Sequence, residues 1–267
     1  MKLAFDIGAT TTRFALTDGK TLQNIQRLET DPSDKGVELL LKQVDDYLDG
    51  QKITEAAGGL PGQLDRVSGR LVHAPNLAGW LGQRVGRQIS QHLNVPVIIH
   101  NDTEVVGLGE AVHGAGQEHR IVVYITVSTG VNGARIVDGV IESSSRGFEL
   151  GAQLIQGNDG QMHQLEELTG GAALERRFGR PPQELHDARL WHEEARYLTN
   201  ALYNIILHWS PDIVVMGGSV MRDINISEIA TLLHRLPKVY ESWPPLVGSS
   251  LADDGGLYGA MTLLNNQ

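Results

Sequence analysis

The first seventeen residues constrain the fold of this chain more than any other segment. Leu3–Ile7 is an apolar run typical of a buried strand, and Phe14–Thr17 is a second such run after a short turn. Gly8 in that turn has no Cβ, so the backbone can approach an oxyanion, to which the hydroxyls of Thr10–Thr12 can donate. Asp6, at the end of the strand, suits a hydrated Mg²⁺. The segment predicts a β-hairpin with a phosphate-binding turn; the alternative is an ordinary Asp-x-Gly turn.

Strand-like runs alternate with segments of helical period along the rest of the chain, and this pattern predicts an α/β fold. The predicted strands are Leu3–Ile7, Phe14–Thr17, Ile53–Gly58, Val95–His100, Ile121–Val127, Ala134–Val137 and Ile213–Met216. The predicted helices are Gly36–Leu48, Trp80–Leu93, Asp102–Val112 and Gln183–Trp209, followed by a last helix that starts near Asp253. An apolar residue at every fourth position from Leu81 to Leu93 predicts a core-facing stripe in the second helix.

A second strand-turn-strand segment repeats the organisation of the N-terminal hairpin. In Tyr124–Val137, two β-rich runs flank a turn that contains glycine and threonine. The chain is therefore predicted to form two α/β halves, residues 1–113 and 114–267. A cleft between them would place the two phosphate-facing turns opposite each other, and the last helix could pack back on the N-terminal half.

Composition narrows the classes of function. The chain has 267 residues, a net charge of −10 and no cysteine. The acidic balance argues against a nucleic-acid partner, and the lack of cysteine excludes disulfides and thiolate metal sites. No apolar run reaches the length of a membrane span, and the N-terminus lacks a signal-peptide pattern. We therefore expect a cytoplasmic protein that binds neither nucleic acid nor membrane.

A candidate catalytic carboxylate follows the apolar run Val95–Ile99. There His100, Asn101 and Asp102 lead from a strand into a helix, and ligands of open α/β sheets gather at the carboxyl ends of strands. Asp102 could accept the proton of a substrate hydroxyl during phosphoryl transfer. The alternative interpretation is that Asp102 only caps its helix.

Three further kinds of segment combine glycine with polar side chains. Asn76 follows the glycine-rich bend Gly58–Gly62 and offers both a donor and an acceptor to a hydroxyl group. Glu149 and Glu166 each stand close to glycines, and paired carboxylates suit the hydroxyls of a sugar. Gly217–Gly218 ends a buried strand, where the backbone could approach a nucleotide. Structural turns and solvated helix residues are the alternative interpretations.

In this order, and over essentially the whole chain, these segments resemble the ROK family of sugar kinases and repressors. The resemblance implies the two-lobed sugar kinase/actin/Hsp70-type (ribonuclease H-like) ATPase fold with an interlobe cleft, and ATP and Mg²⁺ as cofactors. It implies that Asp102 is the catalytic base and that the sugar-binding residues are Asn76, Asn101, Glu149 and Glu166. The implied ATP-binding residues are Asp6, Gly8, Thr10, Thr11, Arg13, Thr129, Gly130, Gly217 and Gly218, with Asp6 holding Mg²⁺ directly or through water.

The chain departs from the family pattern in two places. Family members usually carry Glu-x-Gly-His and then a cysteine cluster that binds structural zinc, whereas here the histidine position is Ala152 and cysteine is absent. No structural zinc is therefore expected, and the vacated space could admit a larger substituent such as an N-acetyl group. Ala9 replaces the usual second glycine of the first phosphate motif, and Asn132 and Ala134 interrupt the glycine run of the second.

The leading hypothesis is an ATP-dependent kinase of a hexose or N-acetylhexosamine, acting on the C6 hydroxyl with Asp102 as general base. The alternatives are a sugar-sensing protein of the same fold without turnover and a polyphosphate-dependent sugar kinase. The presence of Asp102 favours catalysis, and a first strand that starts at Lys2 leaves no room for an N-terminal helix-turn-helix. The expected partners are a small-molecule sugar and a nucleotide. Because relatives are commonly dimers, a homodimer is also expected.

Overall fold

The structure is a computed structural model that describes residues 1–65 and 67–266, a mixed arrangement of strands and helices. The strands are β1 (Lys2–Ile7), β2 (Thr11–Thr17), β3 (Leu22–Glu29), β4 (Ala56–Leu60), β5 (Gln63–Leu64), β6 (Leu71–His73), β7 (Val97–Asn101), β8 (Ile121–Val127), β9 (Val131–Val137), β10 (Val140–Ile141), β11 (Leu154–Gln156), β12 (Met162–Gln164), β13 (Ile213–Gly217) and β14 (Leu246–Gly248). The helices are α1 (Gly36–Leu48), α2 (Val85–Leu93), α3 (Asp102–His113), α4 (Leu165–Thr169), α5 (Gly171–Phe178), α6 (Ala188–Trp209), α7 (Ile226–Leu233) and α8 (Gly255–Asn265).

The chain forms two compact units. Unit 1 comprises Met1–His113, Ser143–Gly147 and Asp253–Gln267, and unit 2 comprises Gly114–Glu142 and Phe148–Ala252. Residues 143–147 and the last helix group with unit 1, and for the last helix this is the packing on the N-terminal half that the sequence analysis allowed. The predicted halves, residues 1–113 and 114–267, stay a prediction. Residues 143–147 join unit 1 through Arg146, whose carbonyl accepts a hydrogen bond from the Gln63 side chain at 3.3 Å.

Helix α8 joins unit 1 because small residues let it pack very closely on α3. A Cβ placed on Gly259 would lie 1.8 Å from the carbonyl oxygen of Val105, and one on Gly109 would lie 2.2 Å from that of Gly255. Only glycine fits at such a distance, so the two helices meet backbone to backbone. This packing brings the start of α8 to the carboxyl end of β1.

Unit 1 is built on a five-stranded sheet of order β3-β2-β1-β4-β7, in which β1 and β2 form the predicted hairpin and β1, β4 and β7 run parallel. The buried residues of β1 and β4 form the middle of the sheet, as their apolar sequences predict. Strand β3 was not predicted. It lies at the edge of the sheet and is mostly exposed, so it lacks the apolar pattern of a buried strand.

Unit 2 repeats this arrangement. Its five-stranded sheet has the order β10-β9-β8-β13-β14, with an antiparallel hairpin of β8 and β9 and a parallel set of β8, β13 and β14. The hairpin of Tyr124–Val137 therefore occupies the same place in its sheet as the N-terminal hairpin does in the other. The structure bears out the internal repeat inferred from the sequence.

Two predicted helices begin later than expected. Helix α2 starts at Val85 instead of Trp80, because Gly82 adopts a left-handed φ of +78° and interrupts the chain before it. Leu81 is therefore not in the core-facing stripe and is 48% exposed. Helix α6 starts at Ala188, where Asp187 caps it by accepting a hydrogen bond from the Arg189 backbone N–H at 2.9 Å.

Within residues 1–65 and 67–266, no helix combines the length and the apolar character needed to cross a membrane.

Candidate active site

The carboxyl ends of β1, β4 and β7 bring two acidic residues to one edge of the unit 1 sheet. Asp6 pairs with Gly59, and Gly59 pairs with His100, two residues before Asp102. A Cβ on Gly59 would lie 3.4 Å from Asp6 Oδ1 and 2.9 Å from the Cα of Asp102. Gly59 therefore separates the two aspartates. Any larger residue at this position would displace at least one of them.

Asp6 is an almost fully buried carboxylate with a cationic neighbour. It is 7% exposed, and its Oδ2 lies 3.5 Å from Arg13 Nη1. The start of α8 closes over it, since a Cβ on Gly256 would lie 2.4 Å from Asp6 Cγ. Burial raises the pKa of Asp6 to about 7, an effect that the Arg13 charge opposes and the nearby Asp102 adds to.

Asp102 is the first residue of α3 and is only partly covered. Its Oδ1 accepts a hydrogen bond from the Thr103 backbone N–H at 2.8 Å. Loss of hydration raises the pKa of Asp102 to about 6, and the hydrogen bond from Thr103 works against this rise. Such a carboxylate is ionised near neutral pH and is still a stronger base than an exposed aspartate.

Asn101 links the start of α3 to the glycine-rich bend. Its Oδ1 accepts from the Thr103 backbone N–H at 3.0 Å, and its Nδ2 donates to the carbonyl of Gly62 at 3.1 Å. Asn101 and Asp102 thus both accept from the same N–H group at the start of α3, and the capping role that the sequence left open for Asp102 is shared. Asn76, the other predicted amide contact of unit 1, is exposed in the loop after β6.

The first predicted phosphate turn is closed by a hydrogen bond from Gly8 N–H to the Thr11 carbonyl at 2.9 Å. Thr10 is exposed and Thr11 is half-buried, so the hydroxyl of Thr10 lies at the surface of the turn. Ala9 has no left-handed φ, and the loss of the family glycine there therefore introduces no backbone strain. Arg13 lies between carboxylates instead of standing free for an anion, with Asp253 Oδ2 at 3.8 Å from its Nη2.

The second predicted phosphate turn, Ser128–Gly130, joins β8 to β9. It is closed by a hydrogen bond from Ser128 N–H to the Gly130 carbonyl at 2.8 Å, and Thr129 is exposed. Asn132 has no left-handed φ; its Oδ1 accepts from the Gly133 N–H at 2.9 Å, so this departure also leaves the turn intact.

Gly217 and Gly218 lie beside that turn because β13 runs parallel to β8, with Gly217 opposite Thr126. Gly218 has a φ of +101°, and a Cβ on it would lie 2.3 Å from the Val127 carbonyl oxygen. The glycine pair is thus required by the close approach of the two strand ends. Its predicted contact with adenosine stays a prediction.

Glu166 and Glu149 lie on neighbouring segments of unit 2. Glu166 Oε2 accepts a hydrogen bond from the Val131 backbone N–H at 2.8 Å, directly after the phosphate turn. A Cβ on Gly151 would lie 3.1 Å from Glu166 Cβ, so the short 3₁₀ turn after Glu149 packs on Glu166.

Glu149 and Ala152 line an open cavity of about 410 Å³ in unit 2. The side of the cavity formed by α6 was missed by sequence reasoning, although its residues recur at helical spacing. These residues are Asn204, Ile205, His208 and Trp209.

The structure thus assembles the predicted residues in two sets. In unit 1, Asp6, Asp102 and the Gly8–Thr11 turn lie at strand ends of one sheet, with Arg13 against Asp6. In unit 2, the Ser128–Gly130 turn contacts Glu166 and lies beside the glycine pair of β13. The predicted cleft that would join both sets stays a prediction.

The donor set of unit 1 fits a hydrated Mg²⁺. This ion takes one or two carboxylates and keeps several waters, and Asp6, the predicted ligand, supplies one carboxylate at the end of β1. Among the described residues, no group of three or more His, Cys, Asp and Glu side chains could hold a metal ion. In unit 2, the exposed turn around Thr129 fits phosphate oxygens.

Solved structures share the fold described above. A ROK hexokinase from Thermus thermophilus is 27% identical, with 99% of each chain covered and a TM-score of 0.81. A ROK family glucokinase from Streptomyces griseus, in complex with glucose and AMPPNP, is 21% identical, with 100% of this chain and 99% of that chain covered and a TM-score of 0.82. The fold is therefore the two-lobed actin-like ATPase fold of the sugar kinases, and the predicted fold class is confirmed.

The sequence profile of the ROK family matches residues 2–267, so the chain belongs to the ROK family. A glucokinase from Thermotoga maritima is 23% identical over an alignment of 312 positions, gaps included, which covers 99% of this chain and 97% of that protein. A putative fructokinase from Bacillus subtilis is 28% identical over 187 residues, which cover 66% of this chain and 61% of that protein. The predicted family and the predicted enzyme class, a sugar kinase, are confirmed.

Proposed function

We propose that the chain transfers the γ-phosphoryl group of ATP to the C6 hydroxyl of a hexose or N-acetylhexosamine, with Asp102 as general base. The observation that carries the proposal is the pair of aspartates that Gly59 separates at the strand ends of unit 1. One carboxylate suits the metal and the other suits the proton of the attacking hydroxyl. Both groups are needed in phosphoryl transfer, which depends on positioning and charge stabilisation.

ATP as the donor is supported by a similar solved structure and by the chemistry of the turns. The glucokinase from Streptomyces griseus binds AMPPNP together with glucose. In this chain, the Gly8–Thr11 and Ser128–Gly130 turns present hydroxyls and backbone N–H groups to a polyphosphate. Bound Mg·ATP would supply the phosphoryl group and the neutralising charge.

The other roles in the reaction, which are proton acceptance, metal binding and sugar binding, belong to different residues of this chain. Asp102 Oδ accepts the proton of the sugar hydroxyl, and its pKa of about 6 keeps it ionised at neutral pH. Asp6 holds the metal, and Arg13 beside it compensates the buried charge. Asn76, Asn101, Glu149 and Glu166 are the proposed partners of the other sugar hydroxyls.

The choice between a plain and an N-acetylated hexose depends on the region of Ala152. This residue lines the cavity of about 410 Å³, together with Gln153 and residues of α6. A cavity at the position of the family histidine supports a substituted sugar. Activity only on unsubstituted hexoses would exclude an N-acetylated hexose as the substrate.

The test is ADP release with Mg·ATP and glucose, mannose, fructose, N-acetylglucosamine or N-acetylmannosamine, for the wild type and Asp102→Asn. We expect one of these sugars to stimulate release and the variant to lose about 10²–10⁴-fold in kcat, the usual contribution of a general base. Asp138→Asn is the matched control, because Asp138 is exposed in the turn between β9 and β10 with a left-handed φ of 51° that asparagine also adopts.

Two results would contradict different parts of the proposal, and one further assay identifies the position of the phosphate. Full activity of Asp102→Asn would exclude it as the base, and release without any sugar dependence would exclude the kinase itself. For glucose, coupling to an enzyme that oxidises only glucose 6-phosphate identifies the position of the new phosphate. The cytoplasmic location and the homodimer stay predictions, and no observation favours the sensor or the polyphosphate kinase.

A further inference from the structure

Glu166 stands out because it touches the predicted phosphate turn although its predicted partner is the sugar. Its Oε2 accepts the Val131 N–H at 2.8 Å, and a Cβ on Gly130 would lie 2.4 Å from the same oxygen. The carboxylate therefore lies directly against the backbone of the turn.

The turn and the residues around Glu166 form one block. The carbonyls of Ser128 and Thr129 accept from the N–H groups of Gly171 and Ala172, at 2.7 and 3.0 Å, which satisfies the first donors of α5. The N–H of Gly170 in turn donates to the Glu166 carbonyl at 2.9 Å. A displacement of α4 is therefore transmitted to the turn.

The hydrogen bonds of this block leave two backbone N–H groups of the turn available to donate to a phosphate. Within the described part of the chain, the N–H groups of Thr129 and Gly130 donate to no protein acceptor. The Glu166 carboxylate, which is negatively charged, lies beside these same donors. An anion bound to the turn is repelled by this charge across a short distance.

We propose that Glu166 couples the sugar to the nucleotide, so that a sugar hydroxyl bound to its Oε1 strengthens phosphate binding at the Ser128–Gly130 turn. A hydroxyl that donates to Oε1 disperses the negative charge beside the turn. It also restrains the Glu166 carboxylate, because the other oxygen, Oε2, accepts the hydrogen bond from Val131 N–H. Without sugar, the carboxylate charge beside the turn disfavours nucleotide, which limits hydrolysis of ATP by water. The inference rests on the proposed sugar-kinase function, because it assigns Oε1 to the sugar.

The test compares Glu166→Gln with the wild type by titration calorimetry of Mg·AMPPNP, with and without saturating glucose or N-acetylmannosamine. Glutamine keeps an oxygen that can accept from Val131 N–H, so the turn is preserved while the charge is removed. In the wild type, sugar is expected to tighten AMPPNP binding by at least about fivefold, the lower end of usual allosteric coupling. In Glu166→Gln, AMPPNP is expected to bind more tightly without sugar, and the factor is expected to fall to within about twofold of unity.

Glu167→Gln is the matched control. Glu167 is the next residue of the same short helix, and its carboxylate accepts from the Gln164 backbone N–H at 3.1 Å without touching the turn. We expect it to keep the wild-type coupling factor. Sugar-independent ATP hydrolysis provides a second readout, and it should rise in Glu166→Gln and stay unchanged in Glu167→Gln.

A wild-type coupling factor that persists in Glu166→Gln would overturn the inference, even if the variant binds sugar weakly. A wild type in which sugar stimulates ADP release but leaves the AMPPNP affinity unchanged would also overturn the inference, while the proposed function would stand. A wild type in which no sugar stimulates ADP release would overturn the proposed function. In that case the sugar-free titration still decides the charge effect, because equal AMPPNP affinity of the wild type and Glu166→Gln would overturn the inference by itself.

Discussion

Gly59 sets the distance between the two aspartates of unit 1. It pairs with Asp6 on one side and lies against Asp102 on the other, so the missing side chain is what allows both carboxylates at one strand end. Neither its local sequence nor its φ requires glycine. The requirement comes from Asp6 of the neighbouring strand β1 and from Asp102 at the start of α3.

Gly59→Ala is therefore expected to impair catalysis more than folding. The new Cβ would lie 2.9 Å from the Cα of Asp102, a backbone atom, so the proposed general base must move. A displacement on the order of 1 Å at a reacting group costs about 100-fold in rate. The measurement is kcat for the sugar that the wild type accepts, together with the thermal midpoint.

Gly248→Ala provides the control for that substitution. Gly248 also lies in a strand, but its nearest contact to a new Cβ is Ile226 Cδ1 at 3.6 Å, an ordinary van der Waals distance. It should keep wild-type kcat. An unchanged kcat in Gly59→Ala would show that the two carboxylates tolerate displacement.

At the scale of elements, a buried ion pair holds α4 and α5 on α6. Arg177 Nη2 lies 2.8 Å from Glu194 Oε1, and Arg177 Nη1 donates to the Leu168 carbonyl at 3.5 Å. The Glu194 side chain is 0% exposed, and burial raises its pKa to about 7 although the Arg177 charge lowers it. Because Leu168 belongs to α4, the pair supports the helix that carries Glu166.

Arg177→Met should destabilise the protein by about 1 kcal/mol, the usual value of a lost hydrogen bond, since Arg177 is partly in water and Glu194, with a pKa of about 7, can take up a proton when its cation is lost. The loss comes from leaving Glu194 buried without its cation. Adding Glu194→Leu should recover most of it, because removing both charges leaves no uncompensated group. Urea unfolding of both variants provides the measurement.

Arg176→Met is the neighbouring control and should change stability by less than about 0.5 kcal/mol, as exposed substitutions usually do. If Arg177→Met alone is as mild as this control, the ion pair does not hold these helices together.

Sequence reasoning found the elements whose signals are local. The apolar strands, the two hairpins and the cap-like start of α3 are encoded in runs of a few residues. The exposed edge strand β3 has no such signal. The contacts of Glu166 with Val131 and of Arg13 with Asp253 join residues far apart in sequence, and no local pattern indicates them.

At the scale of the whole molecule, both units carry buried acids whose proton affinity is raised. Burial raises the pKa of Asp6 to about 7 and that of Asp102 to about 6 in unit 1, and that of Glu194 to about 7 in unit 2. Each of these groups keeps its proton in the folded state at pH values where it has lost it in the unfolded chain. The net charge of −10 adds to this effect by repulsion at neutral pH.

The stability of the ligand-free protein should therefore fall as pH rises from about 4 to about 7. In this range the folded state binds more protons than the unfolded state, so the free energy of unfolding decreases with pH. His113 acts in the opposite direction, since burial lowers its pKa. Asp18, Asp31, Asp65 and Asp159 also act in the opposite direction, because hydrogen bonds lower their pKa values, but they do so only near and below about pH 4. The urea midpoint should be higher at about pH 5 than at about pH 7.5, and a midpoint that rises over this interval would contradict the argument.

Two further experiments measure how much each unit contributes to the fall of stability with rising pH. Glu194→Gln removes the titrating group of unit 2 and should flatten the pH dependence without touching the strand ends of unit 1. Saturating Mg²⁺ should act on the share of Asp6 alone, because a divalent cation favours the ionised carboxylate and lowers its pKa. If Mg²⁺ stabilises the protein more at about pH 7.5 than at about pH 5, and Asp6→Asn abolishes this difference, Asp6 is a metal ligand in solution, since the bound ion opposes the loss of stability that the buried carboxylate causes.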